Sequence, residues 1–569
     1  MTSLTFVTAF MNIYETPFQN KDIEWRFQHF RKIANLGIQI VVFCSPDCKE
    51  VMENMRTEFP NIQVLEYMDL KDTWTYKTCT SIEGVEMPNN RNVDKDTKEY
   101  IILMNAKTEF LKRAVEANVW DSTHFAWIDF NLFHVFKNEN DEKYAGELIY
   151  RLSKRTLRQT FLTMPGCWHK HHVVDEYLIN DICWRWCGGF FLGDKQSVLA
   201  FHAMHELHLS EFLELKKKLV WEVNFWAWLE KTYNMSIIWY HGDHNISILE
   251  IGGEVCSFNL PIQNSYQYKF PMIGDFQSTS MSYIKYKDEH IFNIRYINYW
   301  LYPTGSYLIN HPEKHIYTKN YYSYWNPELG FLHSCLNEMD EDSISLENHG
   351  GSIYGLEDIR LYEYNDTIYF IATNINYSGI GRNRMIKGIY NIEKRTYDNC
   401  TLIIPPNRDS WCEKNWTPLI KGDKEYFIYK WSPFEIGTIV EKQEESGNTY
   451  HQLDICSQFL HRTPFFHKVR GSTPFIETED GYLGVVHFSE EKTPRQYFHL
   501  LVLLDKETFH PLRYSNHFYF HNTTIEFCIG FSIIDNKYHF WISNFDRNPE
   551  LVISEIESIP ISFDFFVYE

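Results

Sequence analysis

The stretch "FAWIDFNLF", residues 125 to 133, sets the terms for the fold. Aromatic and aliphatic side chains fill most of it, as in a strand covered on both faces, yet Asp129 stands in the middle. A buried carboxylate without a partner costs several kcal/mol, so such a residue belongs at a strand's end, beside a cation, or on a metal. Asp129 is therefore a candidate site residue. The competing reading is a carboxylate that caps a turn or pairs with a buried arginine such as Arg185.

Outward from this strand the first half alternates. "LTFVTAF" (4 to 10) and "IQIVVFCS" (38 to 45) read as strands. Between them "KDIEWRFQHFRKIANLG" has apolar residues three and four apart and a terminating Gly37, the pattern of an amphipathic helix. "KEYIILMNAKTEFLKRAVEAN" reads as one helix leading into the strand at 125 to 129. "CGGFFLG" (187 to 193) followed by "KQSVLAFHAMHELHLSEFLELKKK" adds a turn and a long helix. An α/β domain spanning 1 to 265 is expected.

Beyond residue 265 helical periodicity nearly vanishes. Hairpin patterns follow one another: "HIFNIRYINYWLYPTGSYLIN", "GLEDIRLYEYNDTIYFIATNIN", "NWTPLIKGDKEYFIYKWSP", "STPFIETEDGYLGVVHFSE" and "IGFSIIDNKYHFWISNFD". Weakly similar units that recur at roughly 50 to 60 residues predict an all-β five-bladed propeller over 266 to 569, with a β-sandwich as the alternative.

Composition limits the function classes. In 569 residues, hydrophobic types make up 44% and aromatics 17%, enough for large cores and for flat faces that stack on sugars or bases. A formal charge of −21 without a basic block argues against nucleic acid as a partner. The 12 cysteines are scattered, with Cys44/Cys48 and Cys183/Cys187 four apart, and read as reduced thiols. No stretch matches a membrane span and "MTSLTFVTAF" lacks a basic leader, so a cytoplasmic protein is expected.

The motifs "FVTAF", "VVF", "LMNAKTEFLKRAVEAN" with Lys107, "FAWIDFN", "GGFFLG" and "WEVNFW", in that order, make the first half resemble the HtrL/YibB family of bacterial glycosyltransferase-like proteins. The resemblance implies a GT-A-like nucleotide-sugar domain; Asn131 stands where family members typically carry glycine. Transfer from a nucleotide sugar expels a diphosphate, whose charge a divalent ion on oxygen ligands would meet. Mn²⁺ or Mg²⁺ is the expected cofactor. Asp129 is the candidate ligand, with Asn131 beside it and His241, Asp243 and His244 of "WYHGDHN" offering a further ligand. An inverting reaction needs a base for the acceptor hydroxyl. Glu222, a charge among aromatics at a helix start, is the candidate and Asp194 the second; a helix-terminal charge favoured by the macrodipole is the alternative for Glu222.

The second half has its own resemblance. "GLEDIRL", "EKNWTPL", "GSTPFIETEDGYLGVVHF" and "IEFCIGFSIIDNKYHFWISNFD" look, in order, like the five-bladed propeller family of β-mannoside phosphorylases and related mannosyltransferases. It implies Asp358 as proton donor to a glycosidic oxygen, with Arg295, Glu357, Arg360, Lys414, Asn415, His487 and Asp546 around the sugar. Proline is missing between Asp358 and Arg360, and Phe488 stands where glycine would follow His487. On its own, Asp358-x-Arg360 also reads as a structural ion pair. Together the halves predict a bifunctional glycosyltransferase taking a nucleotide-sugar donor and a glycan acceptor. The alternative is a single-activity transferase whose propeller only binds glycan.

Overall fold

The computed structural model describes residues 3–14, 21–155, 157, 160–326, 330–331, 336–444, 447–461, 463, 465–559 and 564–566. The chain divides into two compact units, Met1–Cys256 and Ser257–Glu569. The division precedes residue 265 because Ser257–Asn259 pairs with His517–Tyr519, and Asn264–Gln267 with Glu550–Ile553. Both short strands thus belong to the second unit's sheets.

The first unit is built on a seven-stranded mixed sheet: β1 (Leu4–Phe10), β2 (Ile40–Cys44), β3 (Ile62–Tyr67), β4 (His124–Ile128), β5 (Leu162–Gly166), β6 (Phe190–Asp194) and β7 (Ile238–His241), in the order β3-β2-β1-β4-β6-β5-β7. Only β6 runs antiparallel to its neighbours β4 and β5. Alternate side chains enter two cores, one on each face. Val7, Val41, Phe43 and Trp127 lie in one, and Phe6, Ile40, Val42 and Ile128 in the other. This is why these strands are continuously apolar: a sheet covered on both sides has no solvated face. Each such side chain contributes about 1.5–3 kcal/mol of burial.

The helices end where their sequences say they should. Asp22 caps Ile23–Ala34 by accepting from the Trp25 amide at 2.8 Å, and Gly37 leaves that helix with φ +68°. The stretch at 98 to 118 forms two helices, Lys98–Asn105 and Lys107–Ala117, rather than the single one expected. At the break, the Asn105 amide donates both to Ile101 O and to Val220 O, which fixes the chain just before Lys107.

The second unit consists of five antiparallel meanders. Their first long strands are Gln277–Tyr286, Glu357–Tyr364, Thr417–Lys421, Tyr482–Glu490 and Glu526–Ile534. Neighbouring meanders touch in sequence, and the last returns to Gln277–Tyr286, closing a five-bladed ring. The fifth blade joins Arg547–Glu555 to Asn264–Gln267, so strands from the two ends of the unit complete one sheet. Four of the five hairpins form as read. The first does not: Glu289–Ile297 pairs with Gln277–Tyr286 and Ile316–Asn326, while Tyr299–Leu301 pairs separately with Tyr307–Ile309. Asn298 ends the strand by bonding His315 O and the Tyr317 amide.

Candidate functional site

In the first unit strand order reverses at β1. The chain runs from β1 outward through β2 and β3, then returns to place β4 on β1's other side. Loops leaving β1 and β4 must diverge there, which opens a crevice at the strands' carboxyl ends. A pocket of ≈ 330 Å³ fills it, lined by Met11, Asn12 and Tyr14 after β1 and by Asp129, Asn131 and His134 after β4. Lys21, Arg26 and Lys95 complete its wall, so three cations face a single carboxylate.

Asp129 follows β4 directly, its amide bonded to Gly189 O at 2.9 Å. Its Oδ1 accepts from the Trp127 indole at 2.7 Å and lies 3.0 Å from Lys107 Nζ. Its cation is thus Lys107, since Arg185 pairs with Glu230 at 2.7 Å. Lys107 is buried and also donates to Gly188 O at 2.8 Å and Glu222 Oε1 at 2.9 Å. Burial alone would lower this ammonium's pKa; Asp129 and Glu222 outweigh it and hold the pKa above the usual lysine value. The glycine pair allows the approach. A Cβ on Gly188 would stand 2.1 Å from Glu222 Oε1, and one on Gly189 would stand 3.5 Å from Asp129 Oδ2.

Several expected roles change with this geometry. Glu222, the expected base, is 4% exposed, pairs with Lys107 and does not line the pocket. Asp194 is at the opposite end of the β4–β6 pair, across from His124. It accepts from the amides of Gln196 and Ser197 at the start of the helix Lys195–Lys216, and from the Ser197 hydroxyl and Phe161 amide. It is a helix cap, and despite burial those bonds hold its carboxyl below the usual range. His241 and His244 are likewise absent from the pocket lining; His244 stands beside Cys167 and Cys187. Lys21 and Arg26, at the start of the helix Ile23–Ala34, and Lys95, from a distant loop, were missed in the sequence, and no local motif marks them.

In the ring the expected residues do converge. Arg295 reaches Asp358 Oδ1 at 2.9 Å and Glu357 at 3.7 Å, and Lys414 reaches Glu357 at 3.6 Å. Asp358 therefore pairs with Arg295, not with Arg360 two residues on. Arg360 is fully buried and donates to Ser472 O at 2.6 Å, Asp358 O at 3.1 Å and Asn415 Oδ1 at 3.0 Å. With neutral oxygens as its partners, burial pulls its pKa down to about 10, against the pull of Asp358. His487 bonds the Ser472 hydroxyl at 2.7 Å, and burial, with His499 and Arg360 nearby, keeps its imidazole neutral well below the usual range. Asp546 accepts from the Tyr299 hydroxyl at 2.9 Å, and burial raises its carboxyl despite Arg295 and that hydroxyl. Asp358, Asn415 and Asp546 all have left-handed backbones, with φ of +54°, +63° and +51°. Such conformations in non-glycine residues cost about 1–3 kcal/mol and gather at functional sites. Tyr299 and Ser472 were not expected, because they act only through partners distant in sequence.

Residues 2–218 match the family model described as "Bacterial protein of unknown function (HtrL_YibB)". Protein HtrL of Escherichia coli (strain K12) is 26% identical over 150 residues, 23% of this chain and 52% of that protein. The chain thus spans about half the length of the curated relative it matches. Similar solved structures include a β-1,2-mannobiose phosphorylase from Listeria innocua (12% identity, 52% of this chain and 98% of that one, TM-score 0.33). A glycosyl hydrolase from Bacteroides ovatus is also 12% identical, over 53% and 92%, at TM-score 0.34. MPT-4, a mannose phosphorylase from Leishmania mexicana, is 10% identical over 54% and 94%, at TM-score 0.31. Likeness of this degree says nothing about chemistry. Among the described residues no helix is long and apolar enough to cross a membrane.

Proposed function

We propose that the chain is a bifunctional glycosyltransferase: the first unit takes a nucleoside diphosphate sugar of the GT-A-like kind, and the ring acts on a saccharide, in the manner of a mannosyltransferase or phosphorylase. The observation that carries the first part is the pocket at the β1/β4 reversal, which Lys21, Arg26 and Lys95 line together with Asp129. Three cations suit a diphosphate, and the rings of Tyr14 and Tyr100 in the same wall suit a base or sugar face. Lys107, fixed by Glu222 and Gly188 O, holds Asp129 in one orientation.

A divalent ion fits this donor set in a limited way. Among the described residues, Asp129 Oδ2 has no hydrogen-bond partner and the Asn131 amide stands in the same lining. An Mg²⁺ or Mn²⁺ that draws its other ligands from diphosphate and water needs little more. Bound there, it would neutralise charge on the leaving diphosphate.

In the ring, Arg295 and Lys414 supply positive charge beside three carboxyl groups. Asp358 stays the candidate to meet the glycosidic oxygen, while Asp546, whose raised pKa favours the proton, is the better proton reserve. One observation favours the second reading, a ring that binds glycan without turning it over. Asp358 Oδ1 is already engaged by the Arg295 guanidinium at 2.9 Å, an arrangement that serves to hold a ligand's hydroxyls as readily as to meet a glycosidic oxygen.

Calorimetric titration of the full chain with UDP- and GDP-sugars, with Mg²⁺ and with chelator, tests the donor site. Binding that weakens at least tenfold in Lys95→Ala and Arg26→Ala is expected. No binding by any nucleoside diphosphate sugar, with or without metal, would overturn the reading.

A further inference from the structure

Three loops on adjacent strands bring soft ligands together. Cys167 follows β5, Cys187 precedes β6, and His244 follows β7. The two sulfurs are 3.6 Å apart, and one ligand atom from each of the three residues lies within 4.8 Å of the others. Among the described residues they form the one His/Cys/Asp/Glu group of at least three members that meets this spacing. Two sulfurs held at about 2.3 Å from a tetrahedral zinc stand about 3.8 Å apart, so the pair already has nearly the edge length of such a site. A disulfide needs about 2.05 Å.

The backbone holds this arrangement in place. The Cys167 amide bonds Trp184 O at 3.0 Å and the Cys187 amide bonds Pro165 O at 2.8 Å. Gly242 packs so closely that a Cβ there would meet Pro165 Cβ at 2.8 Å, which brings the loop carrying His244 against β5. Asp243 Oδ1 is 3.1 Å from His244 Nδ1. A carboxylate that accepts a hydrogen bond from Nδ1–H leaves the other ring nitrogen's lone pair for a metal, the usual outer-shell arrangement of zinc-bound histidine. Cys187 is buried, whereas His244 is exposed, so the group opens to solvent on the histidine side.

We propose that Cys167, Cys187 and His244 form a binding site for a zinc-class cation, with the fourth position filled by water. Binding displaces one proton from each thiol and leaves a dithiolate–imidazole complex; nothing is oxidised or reduced. This ion is separate from any Mg²⁺ or Mn²⁺ at Asp129, whose oxygen donors are hard where these sulfurs are soft. It has a consequence for the donor pocket. Cys187 is followed by Gly188 and Gly189, whose carbonyls take Lys107 Nζ and the Asp129 amide, so a cation on Cys187 would anchor the turn that holds both.

The test uses the full chain, stripped by chelator under reductant and reloaded with Zn²⁺ or Co²⁺. One Zn²⁺ per chain by elemental analysis and a thiolate-to-cobalt charge-transfer band are expected. His244→Ala, at an exposed position that leaves folding intact, should weaken Zn²⁺ binding roughly 10-fold or more. Cys167→Ser should diminish the cobalt band, and Asp129→Ala should keep the full zinc content. Absence of bound Zn²⁺ while both thiols react as free, unchanged affinity in His244→Ala and Cys167→Ser, or a Cys167–Cys187 disulfide in metal-loaded protein would each overturn the site.

Discussion

The pocket at the β1/β4 reversal and the cluster in the ring solve the problem of a buried charge in opposite ways. Around Lys107 the charges are complete: one ammonium meets two carboxylates and a carbonyl, and Lys21, Arg26 and Lys95, which make no ion pair among the described residues, stand apart at the pocket wall. In the ring, the pairing is uneven. Arg360 is buried against neutral oxygens, Arg295 is shared between Glu357 and Asp358, and Asp546 keeps a raised pKa. A complete set is rigid and positions a ligand; an uneven set has groups whose protonation can change during a reaction. On the proposed reading, the difference suits the first site to recognition and the second to proton transfer.

The largest expected effect would break that assignment. Asp358→Asn keeps size and most hydrogen bonds but removes a transferable proton. If the ring is catalytic, turnover with mannose donors and phosphate in the full chain should fall by about 10²–10⁴-fold while sugar affinity changes little. Unchanged turnover would remove Asp358 from the mechanism. Wild-type sugar binding without turnover would leave only the binding reading.

Next in size is the completeness of the first site. Lys107→Met leaves Glu222 buried without its cation, and loss of one partner from such a pair costs about 3–5 kcal/mol. Chemical denaturation should show the first unit's transition shifted by that amount, with a double Lys107→Met/Glu222→Gln chain recovering part of it. Equal stability of all three would show that the pair is solvated.

A smaller effect concerns Glu341, which lies in the ring unit beside Asn320 and Tyr397 and whose carboxyl burial pushes up to about 7. A folded-state pKa raised from 4.5 means that the folded chain keeps a proton the unfolded chain has lost. The associated stability is full below about pH 4.5 and is lost as pH rises through about 7, a change of at most about 3 kcal/mol. Glu341→Gln should flatten that part of the ring unit's stability profile; an unaltered pH slope would show that the carboxyl is hydrated.

The same contrast explains what was legible in the sequence. Alternating apolar runs with Asp22 and Gly37 at helix ends report local geometry, so the α/β reading could be made from the chain alone. In the ring, four hairpins were legible because each turn joins the two strands that pair. The antiparallel direction of β6 was not, since strand direction depends on pairing with β4 and β5. Glu222 stood out as a charge among aromatics and Lys107 through a family-like motif, yet their mutual pairing is a contact across 115 residues. Cys167 escaped notice because its partner is 20 residues away, whereas Cys183, four from Cys187, takes no part in the group.

The smallest effect separates structure from site at two carboxylates that both stand at strand ends. Asp129 and Asp194 both end strands of the first sheet, but Asp129 faces the pocket and Asp194 caps a helix. Asp194→Ala removes the acceptor for the Gln196, Ser197 and Phe161 amides, and losing such a cap costs about 0.5–2 kcal/mol. The two substitutions should therefore cross over. Asp194→Ala lowers the first unit's denaturation midpoint and leaves nucleotide-sugar affinity as in the wild type. Asp129→Asn, on a side chain one-third exposed, changes stability less and donor binding more. Calorimetry and denaturation on the same two proteins read both quantities. A loss of donor affinity in Asp194→Ala equal to that in Asp129→Asn would mean that the ends of β4 are coupled, and the division between recognition at one end of the sheet and capping at the other would fail.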